Sequence, residues 1–388
     1  MKYDFDKPTD RRGTGSYKWQ VAAGELPMWV ADMDFETAPA VKAAIIKRAE
    51  HGIFGYSVTP REFFISIADF FEYRHGYRPN PDDMVFSTGV VATVSSSVRK
   101  LTTPAENVLI MPPVYNIFYN CILNNGRVPL ECELKYDDGR YSIDFTDLEE
   151  KLSLPQTSLM ILCNPHNPVG KIWSRAELER IGELCYRYGV TVISDEIHCS
   201  ITDPGQPSYI PFASVNETCR DISVSCVSAT KAFNLAGLQC SAAIVPNPKL
   251  RHKVWRAVNT DECGEPGAFA IPASVAAFKE GGEWLDELLE YLFENRRIAE
   301  NYIAGNILGI KAVHADATYL LWINISDITE NSEVFAKRVR ELTGLYLSDG
   351  VEYGSGGEGF VRMNLATCRA NLLDGLERLK IAVERLSG

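Results

Sequence analysis

Ser158-Leu159-Met160-Ile161-Leu162-Cys163 runs into Asn164-Pro165-His166-Asn167-Pro168-Val169-Gly170, and Val190-Thr191-Val192-Ile193-Ser194 runs into Asp195-Glu196. Each apolar run has the length of a buried strand, and the amphipathic stretch Arg175–Tyr188 between them has that of a helix. One strand stops at a proline-rich turn and the other at two carboxylates. The same alternation extends in both directions. Upstream, strands are expected at Met84–Ser87, Asn107–Met111 and Arg127–Leu134, with helices at Val90–Leu101 and Tyr115–Leu123. Downstream, Asp221–Val227 and Cys240–Val245 read as strands. Strand–helix alternation at this spacing predicts an α/β fold with a mostly parallel sheet and helices on both faces.

Past residue 248 the pattern turns helical. Trp284, Leu285, Leu288, Leu289 and Leu292 recur at intervals of three and four, which predicts one long amphipathic helix. Short strands follow at Tyr319–Asn324 and Gly359–Asn364, and a terminal helix at Leu372–Leu386. The expected division is an N-terminal segment (1–50) packed with a small α+β domain (285–388), and a large domain (51–284).

With 388 residues the chain can bury a large core without disulfide or metal staples. Its 51 acidic and 39 basic residues leave a formal charge of −12, which disfavours a nucleic-acid partner. No run approaches 18 apolar residues, so no membrane span is expected, and the charged start Met-Lys-Tyr-Asp-Phe-Asp-Lys lacks the apolar core of a signal peptide. The ten cysteines are scattered, with no C-x-x-C pair, and read as buried free thiols. These features predict a cytoplasmic protein.

Ligands of open α/β sheets bind beyond the carboxyl ends of the strands. Three such ends offer an amide (Asn167), an acid (Asp195) and, after Val224-Ser225-Cys226-Val227-Ser228-Ala229-Thr230, an amine (Lys231). Taken singly these are a turn residue, a helix cap and a surface lysine. Together they suit an aldehyde cofactor. Pyridoxal phosphate needs an amine for its Schiff base, a carboxylate to keep its ring nitrogen protonated, a donor for its ring oxygen and backbone N–H groups for its phosphate.

The turn Asn167-Pro168-x-Gly170, the pair Asp195-Glu196 and Ser228-x-x-Lys231 resemble the fold-type I pyridoxal-phosphate enzymes of the aspartate-aminotransferase superfamily. Trp29-Val30-Ala31-Asp32-Met33-Asp34-Phe35, Phe54-Gly55-Tyr56, Cys163–Lys171 and Lys231–Leu238 more closely resemble its cystathionine β-lyase branch of MalY/PatB type. The resemblance implies a large domain with a seven-stranded sheet, a small domain, and a homodimer with its active site at the subunit interface. It implies that Lys231 carries the cofactor and moves the Cα proton, that Asp195 pairs with the pyridinium nitrogen, and that Asn167 contacts the ring oxygen. By the same resemblance Tyr115 stacks on the ring, and the amides of Gly89, Val90 and Val91 hold the phosphate together with Ser228. Tyr56 reaches that phosphate from the second subunit. Arg362 takes the substrate carboxylate, with Ala31, Asp32 and Asn167 beside it.

Two positions depart from the aminotransferase pattern. His198 stands where many of those enzymes carry tyrosine, and Gln239 where many carry a phosphate-binding arginine. Both agree with the lyase branch. The implied reaction is β-elimination from L-cystathionine or other cysteine S-conjugates to a thiol, pyruvate and ammonia. An aminotransferase on the same scaffold, and a lyase with an added regulatory protein-binding role, are the alternatives. Metal binding is not expected, since neither H-x-x-x-H nor C-x-x-C spacing occurs. His166 reads as a packed turn residue, and Gly354–Gly359 as a mobile loop leading to Arg362.

Overall fold

A computed structural model describes residues 2–205 and 208–387. Seven strands form the main sheet: β1 (Met84–Ser87), β2 (Asn107–Ile110), β3 (Val128–Glu131), β4 (Thr157–Cys163), β5 (Thr191–Asp195), β6 (Ser223–Val227) and β7 (Ser241–Ile244). Their order is β1–β7–β6–β5–β4–β2–β3, and only β7 runs antiparallel to its neighbours. Every residue of β6 and β7 is buried, as a sheet covered on both faces requires. In register, Cys163 faces Asp195 and Asp195 faces Cys226, so β4, β5 and β6 end level with one another.

The helices between these strands start and stop for local reasons. Val90, Val94 and Val98 recur every fourth residue along Val90–Leu101 and are all buried. Arg175–Arg187 opens on a capping box, in which Ser174 accepts from the Glu177 amide and Glu177 reaches back to Ser174. One strand boundary differs from expectation. Asp221 and Ile222 belong to a short helix, Glu217–Ile222, because the Asn216 side chain caps it at the Cys219 amide. The expected strand thus begins only at Ser223.

A second sheet lies beyond residue 306. It comprises β8 (Lys311–Ala312), β9 (Leu320–Asn324), β10 (Ser348–Asp349) and β11 (Phe360–Asn364), in the order β8–β9–β11–β10 and antiparallel throughout. The helix Gly282–Asn306 joins two cores. Its start packs with Phe5, Phe35 and Phe233, and its end, through Ala299 and Ile303, packs with the aliphatic core under the second sheet. The N-terminal strand Leu26–Pro27 pairs in parallel with Leu345–Tyr346, a non-local pairing that no local pattern announces. The following strap, residues 29–35, then crosses the carboxyl ends of the main sheet.

Among the described residues no helix is long and apolar enough to cross a membrane. All ten cysteines are unpaired and buried.

Candidate active site

Beyond the ends of β4, β5 and β6 lies a cleft of about 500 Å³. Residues 29–31 of the strap, the start of the Val90 helix and the second sheet complete its walls. Asp195 closes its floor. One carboxylate oxygen accepts from the Ile197 amide at 3.1 Å, and burial raises the carboxyl to about 6 against the pull of that amide and of Lys231.

Lys231 follows β6 through a turn held by Ser228, whose Oγ accepts from the Thr230 amide at 3.1 Å and lies 2.6 Å from the Cys240 carbonyl oxygen. The lysine is half-buried and donates to the Ala31 carbonyl at 2.6 Å. Burial first, then the neighbouring Arg362, lowers it to about 8, with Asp32 and Asp195 opposing. A neutral amine is thereby within reach near neutral pH, as nucleophile and base both require.

Arg362 sits on β11. It donates to Asn167 Oδ1 at 3.2 Å and to the Trp29 carbonyl at 2.9 Å, and its guanidinium lies 5.0 Å from the centre of the Tyr353 ring. Its buried Nε has no hydrogen-bond partner among the described residues. The fork is therefore held in place with donor capacity to spare for a carboxylate.

Gly89 precedes the helix Val90–Leu101 with φ 135°, and no side chain caps that helix. Val90, Val91 and Ala92 line the cleft wall, and the free amides of a helix's first turn suit an anion. Gln239 borders it, since a Cβ on Gly89 would come within 3.3 Å of Gln239 Oε1. Tyr115 lines the same wall, its phenol pushed by burial to about 12. His198 is buried with Nδ1 unpartnered among the described residues. Burial, then Lys231 and Arg362, holds it well below the usual histidine range, so its imidazole is neutral.

Lys231, Asp195, Asn167, His198, Tyr115, Gly89, Val90, Val91, Arg362 and Ala31 thus all line one cleft, and Ser228 supports its edge. Asp32 instead turns its carboxylate to a paired contact with Arg11. Tyr56 lies outside the cleft of this protomer and is fully exposed. The Gly354–Gly359 loop, expected to be mobile and to lead to Arg362, runs directly into β11. A Cβ on Gly350 would meet the Gly357 carbonyl oxygen, and Tyr119 fills the space beside Gly354. His166 is a packed turn residue, its Nε2 3.1 Å from the Met111 carbonyl. Among the described residues no cluster of three metal-ligand side chains occurs. Sequence reasoning missed Trp29, Tyr353 and Ser348 on the walls, although Trp29 opens one of the strings singled out.

A mostly parallel α/β sheet with a half-buried lysine and a buried carboxylate beyond adjacent strands defines the class. The chain belongs to the aminotransferase class I and II family, whose model matches residues 26–379. Within it, the chain is 42% identical to cystathionine β-lyase PatB of Bacillus subtilis over 98% of this chain and 100% of the relative. It is 32% identical to protein MalY of Escherichia coli, over 98% and 99%. Among solved structures it is similar to cystalysin of Treponema denticola, which contains pyridoxal 5'-phosphate (31% identity, TM-score 0.95, all of both chains). It is similar also to a pyridoxal-phosphate-bound C–S lyase of Staphylococcus hominis (32% identity, TM-score 0.92, 98% and 99%).

Proposed function

We propose that this protein is a pyridoxal-phosphate-dependent carbon–sulfur β-lyase that cleaves L-cystathionine or other cysteine S-conjugates to a thiol, pyruvate and ammonia. The observation that carries the reading is the pairing of half-buried Lys231 with buried Asp195 across one cleft, with an uncapped helix start beside them. The cleft fits the cofactor. Asp195 is a buried carboxylate with no cation in hydrogen-bond contact, and the space beside Gly89 is one that a larger side chain would invade. Bound, the cofactor supplies an electron sink for the negative charge left at Cα.

The chain's own residues do the rest. Asp195 would keep the ring nitrogen protonated, with Asn167 and neutral His198 beside it to hold the ring. Tyr115 would lie against the ring, and the amides at Gly89, Val90 and Val91 with Ser228 would hold the phosphate. Arg362 grips the substrate carboxylate beside Ala31 and Asn167, while Asp32 stays paired with Arg11. Lys231, once free, takes the Cα proton. Tyr56, with Ile53, Phe54 and Val58 exposed around it, belongs to an interface with a second copy, so the working unit is a homodimer. We place the domain limits at 50 and 284 and the protein in the cytoplasm.

Incubation with L-cystathionine and no keto acid should release thiol and pyruvate, and Lys231→Ala should release neither. Strict dependence on an added keto acid would instead identify a transaminase.

A further inference from the structure

Four successive carbonyls of the strap are each read by a side chain. Arg362 holds that of Trp29 at 2.9 Å. The Asn364 amide holds those of Val30 and Asp32, both at 2.6 Å. The chain bends here, with the Asp32 amide donating to the Val30 carbonyl at 3.0 Å, and the carbonyl between them, Ala31, meets other partners. It accepts from Lys231 at 2.6 Å and from the Tyr319 hydroxyl at 2.9 Å.

Tyr319 is itself fixed on both sides. Arg296 donates to the carbonyls of Thr318 and Leu320 at 3.1 and 2.9 Å, and Thr318 adopts φ +67°, a conformation a threonine keeps only where its surroundings impose it. Tyr319 and Asn364 are both almost completely buried. This much order converges on one backbone oxygen, and that oxygen meets the amine on which the proposed reaction depends.

We propose that the Ala31 carbonyl is the docking acceptor for the ammonium of Lys231 whenever the lysine is free of cofactor, and that Tyr319 and Asn364 are positioning residues that aim it. The inference rests on the reading of Lys231 as the cofactor lysine. A carbonyl oxygen has two lone pairs, so it serves both donors. With the flanking carbonyls held by Asn364, the Ala31 peptide cannot turn its oxygen away from the amine. The charged groups facing Lys231 are Arg362, Asp32 and Asp195, with neutral His198 nearby. None of them donates to or accepts from its Nζ, which leaves the carbonyl as its hydrogen-bond acceptor among the described residues.

The test reads the lysine without turnover. Cofactor-free protein is mixed with pyridoxal phosphate across a pH series, and the rate of capture is followed as cofactor fixed to the chain by borohydride. The midpoint of that pH profile reports the free lysine. A carbonyl that is no longer aimed at the amine supports the ammonium less, so Tyr319→Phe and Asn364→Ala should each move the midpoint to lower pH, by about half a unit or more. They should also raise the deuterium isotope effect on elimination from Cα-deuterated substrate, because a misaimed lysine slows the proton step. Midpoints unchanged or moved upward in both variants would overturn the inference. If Asn364→Ala fails to fold by circular dichroism, Tyr319→Phe, which deletes one oxygen, decides alone. Lys231→Ala separates the two readings. Borohydride fixation that persists in that variant sinks the lysine assignment itself, whereas its loss there, beside wild-type midpoints in the other two, sinks only the positioning role.

Discussion

Arg362 concentrates several demands in one side chain. It must reach Asn167 and the Trp29 carbonyl with separate nitrogens while lining the cleft. A planar fork meets these demands, and a single ammonium does not. Arg362→Lys should therefore keep the cofactor's visible absorbance while kcat/KM for cystathionine falls by roughly 10- to 100-fold, the worth of one charge-assisted hydrogen bond of about 1.5–3 kcal/mol. The loss should fall mainly on KM, measured by initial rates of thiol release. An unchanged KM would detach Arg362 from the substrate carboxylate. At this scale much of the site was legible in the sequence. Asn167, Asp195 and Lys231 announce themselves because each ends an apolar strand or its turn in a polar group of distinct chemistry. Tyr319 and Asn364 do not. Their partners are backbone carbonyls hundreds of residues away, and a carbonyl leaves no mark in a sequence.

The turn after β4 shows how an element carries function beyond its own residues. Gly170 has φ +69°, and a Cβ there would meet the Ala315 side chain and lie 2.9 Å from the Ala317 carbonyl oxygen. Its own carbonyl accepts from the amides of Asp316 and Ala317 at 2.9 Å. One glycine thus ties the Asn167 turn to the segment that enters β9 through Tyr319. Gly170→Ala combines a left-handed conformation with overpacking, so a loss of about 2–4 kcal/mol is expected in urea unfolding. Activity should drop further than cofactor content does, because Asn167 and Tyr319 would shift together. A variant as stable as the parent would show that the two segments are not braced against each other here. Element placement followed the sequence wherever periodicity was local, as in Val90–Leu101, whose ends match expectation. It failed at Asp221-Ile222, where a cap from Asn216 outweighed apolar character, and it missed Lys311–Ala312, Leu345–Tyr346 and Ser348–Asp349, two-residue strands defined only by their distant partners.

For the whole molecule the unresolved demand is Tyr56. The segment around it exposes Ile53, Phe54, Tyr56 and Val58 in a row without regular structure, a costly arrangement for a chain that remains alone in water. A two-fold pairing that covers this segment would carry Tyr56 toward another copy's cleft, and each cleft would then need two chains. The consequence is a complementation experiment. Tyr56→Ala should weaken cofactor binding and activity, and Lys231→Ala should abolish turnover. When the two variants are unfolded together and refolded as a mixture, a hybrid dimer has one cleft with both residues intact and one with neither. Random pairing makes about half the dimers hybrids, so about a quarter of wild-type activity should return. No recovery, in a mixture shown by light scattering to be dimeric, would place Tyr56 in its own subunit's chemistry or in none, and the cleft would have to be complete within one chain.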